Sequence, residues 1–155
     1  MPFECVFEKG KLTMIDEKLY MKAQTTADCD VISTLLQDAI FHTSSYSYHK
    51  DTKCLRLMLN RFCWELMDYP LTSTFYRVHS GIFIYDAESV ICDGRFKKNE
   101  TTFYNLLAFH VSDKEINMCF SDNHHICVKI GKINVYMKDL HDKYPTEICP
   151  VHKVI

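Results

Sequence analysis

The feature that most constrains this chain is a stretch at residues 54–65 in which strand-like alternation ends in a cluster of polar side chains. The stretch has the sequence CLRLMLNRFCWE. Its leucines at every second position predict a β-strand with one apolar face. Asn60, Arg61, Trp64 and Glu65 follow at the end of that strand. The cluster is therefore a candidate either for a polar contact in the core or for a binding site.

Three sequence motifs resemble a known family. They are LNRFxWE at residues 59–65, LQDA at residues 36–39 and NLLAF at residues 105–109. Together they are similar to a family of uncharacterised alphaproteobacterial proteins known only as a domain of unknown function, over residues 19–150. The resemblance implies a single domain there, with an N-terminal extension at residues 1–18 and a tail at residues 151–155. It implies no activity.

Length and charge limit the classes of partner. A chain of 155 residues with 47% hydrophobic content suits one domain with one core. A formal net charge of -2 provides no general attraction to phosphate backbones or anionic lipid. No apolar run approaches the length of a membrane span. We therefore expect neither nucleic acid nor membrane as a partner.

The cysteines predict free thiols. The chain has eight of them, and none forms a CxxC pair. Residues 1–20 mix acidic with apolar side chains and so do not resemble a secretory signal. We expect a cytoplasmic protein whose thiols stay reduced.

Periodicity predicts one helix followed by many strands. Polar residues 25–28 offer N-cap candidates, and an apolar stripe at helical spacing follows them. The stripe comprises Val31, Ile32, Leu35, Leu36, Ala39 and Ile40. Period-two alternation then predicts strands at residues 41–49, 54–64, 75–85, 89–93, 102–112, 115–121 and 125–130, after a short strand at 19–24.

The last segment predicts a second helix. Ile133, Tyr136, Met137, Leu140 and Tyr144 fall at helical spacing, and Pro145 would end that helix. The short connections favour an antiparallel sheet. We predict an α+β fold, a partly open, pleckstrin-homology-like barrel with one N-terminal and one C-terminal helix. The alternative is a two-layer structure, an antiparallel sheet with both helices on one face.

The polar cluster has two interpretations. In the first, Arg61 binds an anionic group, Trp64 offers a stacking surface and Asn60 fixes orientation. In the second, which we favour, Gln37 and Asp38 at the end of the first helix pair with Arg61 or Asn60, or Glu65 pairs with Arg61, and the cluster locks the core. Strict alternation would place Asn60 and Trp64 on the face opposite Arg61.

A hairpin holds the only candidates for a metal site, which are Cys119, His124, His125 and Cys127. Apolar parity requires an odd-length loop, and a three-residue loop at residues 122–124 would pair Phe120 with Ile126 and Cys119 with Cys127. The adjacent histidines suit a closed tetrahedral site poorly. We therefore predict a solvated turn and no metal.

Two functions follow from these patterns. Signatures for nucleotide binding, zinc proteolysis and serine hydrolysis are absent, so we expect no cofactor. We favour a non-enzymatic module that binds a protein or a small ligand through its sheet face or barrel mouth. The alternative is a small enzyme whose anionic substrate is held by Arg61, with His42 or His79 as general base.

Overall fold

The computed structural model describes residues 17–67, 74–93 and 102–150, so most of the predicted extension and the whole tail lie outside the described residues. The described residues form one α-helix, ten strands and two short 3-10 turns. Their bounds are β1 Tyr20–Ala23, α1 Thr26–Leu35, β2 Ile40–His49, β3 Cys54–Phe62, a 3-10 turn Trp64–Leu66, β4 Phe75–Ile84, β5 Ala87–Asp93, β6 Phe103–Val111, β7 Glu115–Phe120, a 3-10 turn Ser121–Asn123, β8 His124–Ile130, β9 Val135–Asp139 and β10 Tyr144–Thr146.

All strand pairs are antiparallel, in the order β1-β9-β4-β3-β2-β6-β7-β8-β5, with β10 beside β4. Strand β2 joins two halves, because it pairs with β3 on one side and with β6 on the other. The inward side chains of both halves form one apolar core. In the described residues the two ends of this path, β1 and β5, do not pair, so the sheet is open. The predicted α+β, mainly antiparallel architecture is confirmed.

The first helix is confirmed, with a shorter extent than its apolar stripe. Thr25 caps it, because its Oγ1 accepts a hydrogen bond from the Asp28 N–H at 3.1 Å. The helix ends at Leu35, and Asp38 then adopts a left-handed backbone with φ 59°. Ile40 of the predicted stripe already belongs to β2.

The predicted C-terminal helix is wrong. Both predicted architectures included this helix. The segment instead forms β9 and β10. Val135, Met137 and Asp139 are the inward residues of β9. The third inward residue is a carboxylate. Because a carboxylate in a sequence normally indicates a solvent-facing position, it concealed the apolar alternation of β9.

The loop between β7 and β8 has an odd number of residues, as predicted. The register differs, because each residue of β7 pairs with the β8 residue two positions before the predicted one. Phe120 pairs with His124, and Cys119 pairs with His125 instead of Cys127. The turn begins one residue earlier than predicted because Asp122 and Asn123 both take left-handed backbones, at φ 61° and 59°. Aspartate and asparagine tolerate that conformation better than most residues.

We predict that Met137→Ala lowers the free energy of unfolding by about 2–5 kcal/mol, because Met137 is fully buried and truncation leaves a cavity. Met58→Ala is the matched control. Met58 is 42% exposed, and its truncation should change stability by less than about 0.5 kcal/mol. Urea denaturation of the two variants measures the difference. Equal losses would place residue 137 outside the core and contradict the strand β9.

Candidate functional site

Arg61 lies at the end of β3 and points into the core, where its side chain is completely buried. Its Nε and Nη2 atoms donate to Asp139 Oδ1 and Oδ2 at 3.0 and 2.9 Å. Nη1 and Nη2 also donate to Glu65 Oε2 and Oε1, both at 2.8 Å. A further Nη1 contact to the Phe62 carbonyl, at 3.5 Å, engages the last of the five guanidinium N–H groups. No donor of Arg61 remains for a ligand.

Asp139, which sequence reasoning missed, connects this arginine to three other segments. Its Oδ1 accepts from the Ser80 hydroxyl at 2.6 Å, and its Oδ2 accepts from the Leu19 N–H at 2.9 Å. The buried ammonium of Lys143 lies 3.8 Å from Oδ2. Burial alone would raise the pKa of Asp139, but these bonds, above all those from Arg61, outweigh it and lower the pKa below its ordinary value. The charges within this network balance.

Gln37 and Asp38 do connect the end of the helix to the sheet, but through other atoms than predicted. The Trp64 indole N–H donates to the Gln37 carbonyl oxygen at 2.9 Å. The Asp38 N–H donates to the Leu106 carbonyl oxygen at 3.0 Å. The hydrogen bonds that the Arg61 and Asn60 side chains make with described residues go to other partners.

The opposite, outward face of the same sheet carries a second arginine. Arg77 of β4 is only 8% exposed, and its guanidinium lies over the Phe62 ring, 5.6 Å from the centroid. Its Nη1 donates to the Asn60 carbonyl oxygen at 3.1 Å. No carboxylate of the described residues lies within ion-pair distance of it. Burial lowers the pKa of Arg77.

A groove of about 430 Å³ lies farther along this outward face. Met58, Phe83 and Leu140 provide apolar walls, and Arg56 stands beside them. Ser44 and Ser45 from the bulge in β2, and Ser47 just after it, line the other side. A Cβ at Gly81 would come within 2.8 Å of the Phe83 ring, so glycine allows that ring to lie across the strand.

The charge on this outward face is one-sided. Lys22, Arg56 and Lys138 are exposed there, and none of the outward positions of β1, β9, β4, β3 or β2 in the described chain holds an aspartate or glutamate. Aromatic side chains lie among the cations, as where Lys22 sits 5.6 Å from the centre of the Tyr136 ring. The face is therefore locally positive although the chain has a net charge of -2. The signal in the sequence was the outward alternation Arg56, Met58, Asn60.

The two candidate general bases lie apart from Arg61. His79 is on the outward face, paired across the strands with Asn60, and its ring contacts those of His141 and Tyr144. His42 contacts Ser44 and the Phe103 ring. The geometry brings neither histidine to the buried guanidinium.

The four hairpin candidates for a metal site are divided between two faces. His124 is buried against the Tyr104 ring, whereas Cys119 and His125 pair on the outer face. Cys127 also faces outward, and its thiol contacts Glu115 Oε1 at 3.1 Å. Within the described ranges no group of three or more histidine, cysteine or carboxylate side chains is placed to hold a metal ion.

The described cysteines are free thiols. Burial raises the pKa of Cys29 to about 11 and that of Cys63 to about 12, so both remain protonated at neutral pH. Neither buried thiol is suited to act as a nucleophile.

A model of the protein family described as "Protein of unknown function (DUF2948)" matches residues 19–152. The chain belongs to this family. The DUF2948 match includes both arginines, the groove and Asp139. The search of curated proteins and the search of solved structures each gave no match. In the part of the chain that the structure describes, no helix has both the length and the apolar character needed to cross a membrane.

We predict that Arg61→Ala lowers the free energy of unfolding by about 3–5 kcal/mol, because it leaves two buried carboxylates without their shared cation. Arg56→Ala, which removes an exposed arginine from the same strand, should change stability by less than about 0.5 kcal/mol. Chemical denaturation measures both. An Arg61→Ala protein as stable as wild type would contradict the structural role.

The lowered pKa of Asp139 also predicts a pH dependence. Its ion pairs stabilise the fold above the ordinary carboxyl pKa of 3.8, and that stabilisation is lost as pH falls through the lower pKa of the folded state. Stability should therefore fall less steeply on acidification below pH 3.8 in Asp139→Asn than in wild type. Asp142→Asn, at a highly exposed carboxylate, should keep the wild-type slope. Equal slopes in all three proteins would be inconsistent with a charged Asp139.

Proposed function

We propose that the protein is a non-enzymatic binding module whose groove on the outward sheet face takes a peptide segment with apolar side chains and an acidic residue. The single observation that carries the proposal is the groove itself, in which Met58, Phe83 and Leu140 adjoin Arg56. Arg56 has no ion pair within the described residues. The volume of the groove suits several side chains.

Charge complementarity favours an acidic peptide. The cations Lys22, Arg56 and Lys138 share this face, whose described strand positions hold no carboxylate, so an acidic segment would be attracted to it. A nucleic acid is a weaker fit. Three scattered cations neutralise few phosphates, and the remainder of a chain with net charge -2 repels them.

The enzymatic alternative required Arg61 to hold an anionic substrate. All of its donors are already used by Glu65, Asp139 and a backbone carbonyl. No histidine is among the described residues that line the groove. No observation favours that alternative over the binding module.

A selection from a random peptide library displayed on phage tests the proposal, with affinities of the selected peptides then measured by fluorescence anisotropy. We expect selected peptides to combine apolar residues with aspartate or glutamate. Arg56→Glu should weaken their binding by about tenfold or more, since it replaces a charge-assisted contact with repulsion. Phe83→Ser should weaken it as well by removing an apolar wall.

Two matched controls separate the groove from general effects. Lys114→Glu reverses an exposed charge in the turn between β6 and β7, and Ile91→Ser removes an apolar side chain, 56% exposed, from β5. Both should bind the selected peptides like wild type. The proposal would be overturned if the selected peptides bound the groove variants as tightly as wild type. It would also be overturned if a single-stranded oligonucleotide bound more tightly than any selected peptide.

A further inference from the structure

The two arginines at this end of the sheet occupy opposite electrostatic situations. Arg61 faces inward and has ion pairs with two carboxylates, whereas Arg77 faces outward and has no ion pair among the described residues. Arg77 as a whole residue is 8% exposed, so it is largely removed from water. Burying such a cation costs folding free energy unless an anion or hydrogen-bond acceptors compensate for it. The only hydrogen bond of the Arg77 side chain within the described chain goes to the carbonyl oxygen of Asn60.

The side chain of Asn60 has an unsatisfied atom beside this arginine. Its Nδ2 donates to the Tyr144 hydroxyl, and Tyr144 is the cross-strand partner of Arg77. Its Oδ1 is buried and accepts no hydrogen bond from any described residue. Buried side-chain oxygens are seldom left without a donor. The corner formed by Asn60, Arg77 and Tyr144 therefore lacks an N–H donor for Oδ1 and, among the described residues, a carboxylate within ion-pair distance of Arg77. The charge of the Asp38 carboxylate acts on Arg77 from beyond that distance.

We propose that Arg77 and Asn60 form a subsite for the carboxyl terminus of a bound peptide. The terminal carboxylate would accept from the free guanidinium N–H groups, and the amide N–H of the terminal residue would donate to Asn60 Oδ1. A terminal residue supplies both groups within a few ångströms of each other. An internal acidic residue also carries both groups, but more carbon atoms separate its carboxylate from its N–H.

The subsite deepens the proposed function and rests on it for its biological meaning, because it adjoins the groove on the same face. Arg56 and Asn60 are four residues apart in β3, or about 13 Å at about 3.3 Å per residue. Leu140 of the groove also bonds, through its N–H, to the carbonyl of His79, the residue opposite Asn60. A peptide of a few residues can therefore reach from the groove to the subsite.

The test uses small probes that do not fill the groove, so that its result does not depend on the peptide selection. N-acetyl-leucine is titrated into the ¹⁵N-labelled protein, and the Arg77 Nε–H and Asn60 side-chain amide resonances are followed by NMR. We expect saturable millimolar shifts of both. N-acetyl-leucinamide, which lacks the carboxylate, should bind about tenfold or more weakly, since it forgoes a charge-assisted pair.

Variants provide a second arm. Arg77→Met should fold, because it removes a cation without a carboxylate partner, and should lose the response of Asn60 to N-acetyl-leucine. Lys114→Met, which removes a remote charge, should keep it. If Arg77→Met does not fold, the comparison of acid with amide on the wild-type protein decides.

Three results would overturn the inference. They are the absence of a saturable shift, equal shifts with the acid and the amide, or an equally strong response to inorganic phosphate, which would indicate a general anion site. If the small probes fail to bind but the peptide selection succeeds, the groove proposal stands without the subsite. If the small probes bind as expected but the selection fails, the carboxylate subsite stands without the groove proposal.

Discussion

The interaction on which the rest of this structure depends is the pairing of the Arg61 guanidinium with Asp139 and Glu65. A completely buried arginine is tolerable only when its charge is balanced and all its N–H groups are bonded. Both conditions are met, by Phe62 and Glu65 close to Arg61 in the chain and by Asp139, 78 residues away. Asp139 in turn bonds to Ser80 and to the backbone of Leu19. The pairing thus fixes β3, β4, β9 and the entry to β1 relative to each other.

This arrangement places a buried ion-pair network on one face of β3 and exposed cations on the other. Arg61 points into the core, and its neighbours Asn60 and Phe62 point outward, as pleating requires. The inward side is electrically balanced. On the outward side the described strand positions hold cations and no carboxylate, and one of these cations is the nearly buried Arg77. The proposed ligand site therefore lies on the outward side.

Sequence reasoning located the important stretch but could not find its partners. Local signals, such as the cap at Thr25 and the alternation in β3, predicted the helix and most strands. Asp139 was missed because it lies 78 residues from Arg61, and no local pattern records such a contact. The same inward carboxylate interrupted the apolar alternation of β9 and allowed a helical interpretation. A segment that alternates Val135, Met137, Asp139 in a chain with a core arginine could have suggested the pair.

The hairpin shows a different limit. Parity of apolar residues predicted correctly that its loop would be odd, since a slip of one residue would turn the apolar face to solvent. Parity does not distinguish registers that differ by two. That choice depended on the left-handed backbones of Asp122 and Asn123, and it put His124 and His125 on opposite faces.

A double-mutant cycle between Arg61 and Asp139 tests the central claim most directly. Unfolding free energies are measured for wild type, Arg61→Met, Asp139→Asn and the double variant. If the two residues share one buried ion pair, the double variant should be more stable than the sum of the single losses implies, with a coupling of about 2–3 kcal/mol. Additivity within about 0.5 kcal/mol would contradict the account, because it would mean that the guanidinium and the carboxylate do not depend on each other.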